Sequence, residues 1–524
     1  MHREVYSVLS LRANVPLVPA LARAICLCTY KEQISTVENS GPLFRQFRTV
    51  NLHFPSILNS RKLKPAGFNR IGIQALSQVI SHGAMHDSAE RDPPPRCHPG
   101  TREKATEDII RWIEEPNTSS TVLWVSGRAG VGKSALMQRI AELDGIYFGG
   151  CFFFRRGTPG CNVKDYLFST LAYQLATNVH GMLEHVDQAM MQDFSLPKKS
   201  AAVQLKRLII EPVRLLPIPH RPTIIIIDGL DECEDFNSQR DILTLIGQVT
   251  LDPDIAIRFI VASRPEHQIC DMFKKEPLFS RTRRLVLDEG YDTAADIERY
   301  FRDKFEEIHS RTDSDIVLDI GSPWPLAHHL CHLVHRASGQ FIYAATVVKF
   351  VGSNTDFRTP EERLNIILKY SPMQASAFSE LDRLYTQILS FYPDSEVLVY
   401  TLGVILVLEN VSSYTYPSER VHSPATIAAI TGLGEAKVHL VLRALQSIIE
   451  VLTAPIFDDA DDNEPNGTNI RWVELSHRSF HDFLTNEARS GPYFIDEKLF
   501  NCRVLCRILE LATISIKEVR RRGR

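Results

Sequence analysis

The sequence predicts an α/β protein: a parallel sheet flanked by helices on both faces, followed by a mainly helical region. Three observations carry that prediction. Short, almost wholly apolar runs at 122–125, 150–154, 223–227, 256–261 and 284–287 alternate with stretches of helical periodicity. Strands read as continuous apolar runs when neither face meets water, as in a parallel sheet between two helical layers. A glycine-rich octet lies between the first run and the first helix, at 127–134. After Tyr291 the short runs stop, and apolar residues recur at helical spacing through 294–309, 322–335, 340–351 and 361–370.

The chain has 524 residues, enough for three or four domains of about 150 residues each. Hydrophobic residues make up 44% and charged residues 23%, which excludes a disordered chain. With 59 Lys and Arg against 63 Asp and Glu, the net charge of -4 projects no basic field, so nucleic acid and anionic lipid are not the expected partners. The longest apolar run, 397–408, is closed by Glu396 and Glu409 and falls short of the roughly 20 residues of a membrane span. Arg23 interrupts the apolar patch at 15–28, which is a poor signal peptide. The ten cysteines show no CxxC pair and no zinc spacing, so reduced thiols and a cytoplasmic location are expected.

Residues 1–87 carry no readable motif and stay unassigned. Residues 88–120 read as linker and lead-in helix: proline and charge crowd 88–100, marking an extended linker and a domain boundary. Thr101 is the expected cap, and Ala105, Ile109, Trp112 and Ile113 then recur at helical spacing until Pro116. The sheet domain occupies 121–290, a helical domain 291–374, and a further unit 375–500 that stays helical to about 449 and ends in a hairpin around the acidic loop 458–467. That loop lacks the glycine an EF-hand calcium site requires and reads as solvated. Residues 501–524 form a C-terminal basic tail, expected to fray, with four arginines after Glu518.

Gly127-Arg128-Ala129-Gly130-Val131-Gly132-Lys133-Ser134 fits G-x-x-x-x-G-K-[ST] between a strand and a helix that starts at Ala135. Such glycines let backbone N–H groups wrap phosphate oxygens at a helix N-terminus, Lys133 reaches the terminal phosphates, and Ser134 offers a hydroxyl to Mg2+. The second half of the site is a carboxylate at a neighbouring strand end. The run 223–227 ends in Asp228, the expected magnesium partner, with Asp231 or Glu232 placed to polarise an attacking water. Arg264 follows the strand at 256–261, where a parallel sheet gathers its ligands, and is expected to sense the terminal phosphate. Arg155 and Arg156, after the strand at 150–154, are weaker candidates for the same role.

These residues resemble a NACHT-type module, the nucleotide-binding unit of STAND (NLR-like) signal-transduction NTPases found in animal innate immune receptors and filamentous fungi. The shared spacing is Asp228-Gly229-Leu230-Asp231-Glu232, a small residue after the magnesium carboxylate and two further acids. His98-Pro99-Gly100-Thr101-Arg102, Phe152-Phe153-Phe154 and Ser263-Arg264-Pro265 resemble the fungal members, similar to the nephrocystin-type N-terminal module. The likeness runs on through Asp296, Arg299 and Tyr300, to Gly339 and Phe341, and to His477-Arg478-Ser479-Phe480. It implies an ATP/ADP site, a helical domain behind it, and a winged-helix domain whose His477 touches the β-phosphate of ADP. Relatives often carry a proline near 339–341 that packs on adenine, where this chain has Phe341. They also place repeats after the module, and no repeat period occurs here. The chain is thus expected to be either a switch core that borrows its sensor from a partner or a truncated relative. The implied function is a nucleotide-state switch with slow hydrolysis, self-association on opening and an unknown signalling partner. The alternative is a constitutive AAA-type ATPase acting on protein or nucleic acid.

Overall fold

The computed structural model describes residues 70–522 except 117–118, 144–146, 157, 218–220, 288–290, 292, 312–323, 354–357, 370–376, 413–422 and 456–468. Residues 1–69, most of the helix start expected at 322 and the acidic loop 458–467 therefore lie outside the described residues.

Five parallel strands form the sheet: β1 (Val122–Ser126), β2 (Phe148–Phe153), β3 (Thr223–Asp228), β4 (Ile257–Ser263) and β5 (Thr282–Val286), in the order β2-β3-β4-β1-β5. Side chains alternate between two apolar layers: Trp124, Ile225, Ile227 and Val261 face one side, and Leu123, Val125, Ile224 and Ile260 the other. That two-sided burial explains the continuous apolar runs. β4 sits between β1 and β3, so the glycine loop after β1 and the acids after β3 flank the end of β4.

Helices α2 (Glu103–Glu114) and α3 (Lys133–Ala141) cover one face with Ile109, Trp112, Leu136 and Ile140. The other face is covered by α1 (Ile71–Ser77), α4 (Leu167–Asn178), α5 (Met182–Gln192) and α6 (Phe236–Val249). Arg258 of β4 docks the end of α2, donating to the carbonyls of Trp112 (2.7 Å), Ile113 (3.0 Å) and Glu115 (2.7 Å). Two local expectations change. Thr101 does not cap α2; its hydroxyl donates to the His98 carbonyl (2.6 Å), and Arg102 holds the cap position at φ +58°. The segment 88–100 is no free spacer, since Arg91 packs over the Phe153 ring at 3.8 Å and His98 bonds Asp303 at 2.7 Å. Upstream, Ile73 and Leu76 of α1 belong to the sheet's own core.

Beyond the sheet come α8 (Thr293–Arg311), α9 (Ala327–Ala337), α10 (Phe341–Val351), α11 (Pro360–Lys369), α12 (Ala377–Ser390) and α13 (Ser395–Ser412), after α7 (His267–Phe273). Then α14 (Pro424–Thr431) and α15 (Glu435–Ala444) lead into the antiparallel hairpin β6 (Ile449–Pro455) and β7 (Asn469–Leu475), and α16 (Arg478–Leu484) follows. One apolar core joins all of these, from Ile297 and Phe301 to Phe480 and Phe483. Within the described residues the basic end does not fray: Arg520–Arg522 belong to α17 (Glu497–Arg522). Among the described residues no single helix is long and apolar enough to cross a membrane.

Candidate functional site

The loop after β1 begins with Gly127, whose N–H donates to the Ser263 carbonyl of β4 at 3.4 Å. Gly130 (φ +76°) and Gly132 (φ +93°) adopt left-handed backbone that favours glycine. At Gly130 space adds to the requirement, since a Cβ would stand 2.1 Å from Ile342 Cγ2. Ala129 and Val131 are buried beneath the loop, while Arg128 is exposed. Gly132 sets the start of α3, so the helix opens at Lys133 and includes Ser134 and Ala135, two residues earlier than periodicity predicts. Lys133 Nζ folds back over the loop to the carbonyls of Gly127 (2.7 Å) and Arg128 (2.9 Å). Loop N–H groups, a helix N-terminus and an ammonium thus lie together, the chemistry that suits phosphate.

Asp228, the last residue of β3, is 3% exposed and lies beside the Ser134 hydroxyl, which favours its charged form. Its Oδ1 is buried with no hydrogen-bond partner among the described residues. Burial pushes its carboxyl up to about 6, against the pull of the Ser134 hydroxyl, Arg91 and Lys133. A hydroxyl beside an orphaned, buried carboxylate oxygen is the hard-oxygen donor set that suits Mg2+. The residues present therefore fit that cation.

Asp231 is held differently. Its Oδ1 accepts the Arg264 backbone N–H at 2.9 Å, and its Oδ2 lies 3.2 Å from Arg264 Nε. Glu232 accepts the Arg156 N–H at 3.2 Å, and burial with the adjacent Asp231 raises its carboxyl. The Arg264 guanidinium continues to Asp482 of α16, with Nη1 donating to Oδ2 at 2.6 Å, and Arg478 Nε stands 3.2 Å from Asp482 Oδ1. Arg155 pairs with Glu474 of β7. Behind that pair, Glu409 accepts the Leu475 N–H at 2.8 Å, and burial pushes its carboxyl up to about 7. Every sequence-predicted side chain after β2, β3 and β4 is thus brought to one edge. Arg155 and Arg264 are engaged by carboxylates from the C-terminal unit there.

His477 stands at the N-cap of α16. Its Nδ1 accepts the Ser479 N–H at 3.0 Å and lies 2.7 Å from Ser479 Oγ, which Tyr385 meets at 2.7 Å. Because Nδ1 accepts an N–H, the neutral ring carries its proton on Nε2. Burial, then the fields of Arg264 and Lys133, pushes the imidazole down to about 4. His477 also lines a cavity with Ile342, Thr346, Lys349 and Tyr385.

Three side chains that sequence reasoning left without a role join the site. Arg102 is 3% exposed; it donates to the Val131 carbonyl of the loop (2.7 Å) and to Thr293 Oγ1 of α8 (3.1 Å), and its guanidinium lies 5.1 Å from the Phe341 ring centre. Its positive φ gives no signal in sequence, because arginine rarely adopts it. Ile342, at the start of α10, donates its N–H to the Gly130 carbonyl at 3.1 Å, joining helical domain to loop. Arg91 donates to Gln138 (3.1 Å) and adds its field to Asp228. Phe341, expected near the base, packs against Tyr300 at 6.2 Å.

Strand order, glycine loop and acidic strand end define a Walker-type P-loop nucleotide-binding domain followed by a helical region. Residues 100–264 match the family described as Nephrocystin 3, N-terminal, a span holding the loop, Asp228, Asp231, Glu232 and Arg264. No curated protein matches the chain. Among solved structures the chain is similar to a Walker-type ATPase of Pyrococcus abyssi, with 12% identity, TM-score 0.31, 78% of this chain and 98% of that one covered. It is also similar to the ORC2 protein of Aeropyrum pernix in ADPNP-ADP complexes, with 12% identity, TM-score 0.30 and coverage of 80% and 96%. The ORC1 protein of the same organism in complex with DNA gives 13% identity, TM-score 0.29 and coverage of 79% and 94%.

Proposed function

We propose that this chain is an ATP/ADP-binding signal-transduction switch of the NACHT (STAND, NLR-like) kind, acting in the cytoplasm, whose C-terminal unit closes over the P-loop. The observation that supports the reading is the latch at the sheet edge: Arg155 and Arg264, on loops where phosphates gather, are paired with Glu474 and Asp482. Gly127 to Ala135 cradle the phosphates, and Lys133 turns from the loop carbonyls to the terminal phosphates. Ser134 and Asp228 hold Mg2+, which neutralises charge on the phosphate oxygens when bound. The three helices before the β6–β7 hairpin accord with a winged-helix unit. From it, His477 presents an Nε2–H donor to a β-phosphate in the docked state. Asp231 and Glu232 serve hydrolysis only after Arg264 is released, which keeps turnover slow. Undocking frees surfaces for self-association and for a signalling partner.

The test is titration of ADP and ATP against the wild type and Lys133→Ala. Loss of a charge-assisted contact of about 1.5–3 kcal/mol weakens binding by about 10- to 150-fold. Unchanged affinity refutes the site, and steady turnover above about one per second would favour the constitutive ATPase.

A further inference from the structure

The outer face of α9 carries chemistry that the nucleotide site does not use. Four of the chain's 18 histidines, His328, His329, His332 and His335, fall within eight positions, with Cys331 among them. Leu330 and Leu333 of this helix are buried in the helical core, and Arg336 turns inward to Glu380 (2.7 Å) and the Ile367 carbonyl (2.7 Å). His328, Cys331, His332 and His335 are exposed. At 100° per residue these four occupy an arc of about 100° along about 10 Å of helix. No Lys, Glu, Asp, Gln or Asn interrupts them, although such residues ordinarily furnish a solvated helix face. Solvation accounts for polarity there, but not for a face made only of imidazole and thiol.

The rings are already neighbours, with His328 and His329 centroids 4.1 Å apart. Imidazole nitrogen is a ligand that suits a borderline cation. Histidines four apart on a helix are also the spacing that presents two ligands to one zinc ion.

We propose that this face binds one borderline divalent cation, of the Zn2+, Ni2+ or Cu2+ class, through His328 and His332, with the Cys331 thiolate closing the chelate between them. Among the described residues no three such side chains are gathered about one point, so the exposed groups change rotamer on binding. The ligand set is nitrogen and sulfur, which separates it from the oxygen donors Ser134 and Asp228.

The experiment is competition between the chelator-stripped full chain and a chromophoric chelator for Zn2+, followed by Co2+ absorption spectroscopy. One ion per chain is expected, with His328→Gln and His332→Gln each weakening binding by at least about tenfold. His267→Gln, on an exposed histidine outside α9, leaves it unchanged. Co2+ shows a thiolate charge-transfer band that Cys331→Ser removes. Equal binding by the His328→Gln/His332→Gln double variant, no saturable binding, or no thiolate band each overturns the proposal. Unchanged thermal midpoints of the metal-free variants separate ligand loss from misfolding.

Discussion

Asp482→Asn probes the latch directly. Asp482 faces two guanidiniums, Arg264 Nη1 at 2.6 Å and Arg478 Nε at 3.2 Å, with side chains 26%, 20% and 20% exposed respectively. Burial alone raises its carboxyl, yet Arg264 and Arg478 hold it below the usual value, so it is charged at neutral pH. Asparagine keeps the shape, removes the charge, and leaves Arg264 only the Asp231 carboxylate at 3.2 Å. A fully buried pair broken on one side costs about 3–5 kcal/mol. Partial exposure and the remaining partner reduce this to that of one charge-assisted bond, about 2 kcal/mol, or about 30-fold in the docking equilibrium. Native-state hydrogen exchange reads the change. The Arg264 N–H, bonded to Asp231 at 2.9 Å, exchanges about 30-fold faster in the variant, while β1 and β3 keep their protection. A double cycle with Arg264→Gln isolates the cross-unit term from the Arg478–Asp482 pair within α16. A change below about threefold, or one shared equally by β1 and β3, would refute the latch.

Two further outcomes follow from the same site. Glu409 titrates near 7 in the folded chain against an ordinary 4.5, so the folded state retains the proton and loses stability as pH rises between those values. Glu409→Gln keeps an acceptor for the Leu475 N–H and removes that cost. The thermal midpoint should rise at pH 8, by the equivalent of about 2–3 kcal/mol, and stay level at pH 4.5; an equal shift at both pH values would sink the reasoning. Arg102→Gln breaks the bonds to Val131 and Thr293 and the stack on Phe341, at about 2–4 kcal/mol, so both thermal midpoint and ADP affinity fall. Wild-type values for both would show that Arg102 does not brace the loop.

The sheet and the phosphate loop were legible because their signals are local. Two-sided burial writes itself as apolar runs at 122–125 and 223–227, and left-handed turns at Gly130 and Gly132 demand glycine within an eight-residue pattern. The carboxylates after β3 were equally readable, since a parallel sheet delivers strand ends to one edge. The structure alone supplies the partners. Arg264 joins Asp482, and Arg155 joins Glu474, across more than 200 positions of sequence, and no local rule couples an arginine to a distant acid. Arg102 was quoted for its neighbourhood, yet its bracing contacts depend on a positive φ that its residue type disfavours. At 88–100 proline and charge forbid a long helix or strand, but they do not forbid packing, and Arg91 lies over the Phe153 ring.

The latch residues also bear on how nucleotide charge would act in the proposed switch. Arg155 and Arg264 leave the carboxyl ends of β2 and β4 and meet Glu474 and Asp482. An N–H that donates to Glu474 or Asp482 is not available to a phosphate oxygen, so phosphate and these carboxylates are rivals for the same donors. A triphosphate brings more negative charge to that edge than a diphosphate and competes more strongly. A ligand moves an equilibrium only by its difference in affinity for the two states. Loosening the Arg264–Asp482 pair, worth about 2 kcal/mol, and the more exposed Arg155–Glu474 pair, worth about 1 kcal/mol, supplies about 3 kcal/mol, roughly 150-fold. A docked state favoured about 30 to 1 would then be disfavoured by about 5 to 1. On that arithmetic the proposed switch would require no strained element and no long relay, because the arginines paired with the C-terminal unit would also feel the nucleotide charge.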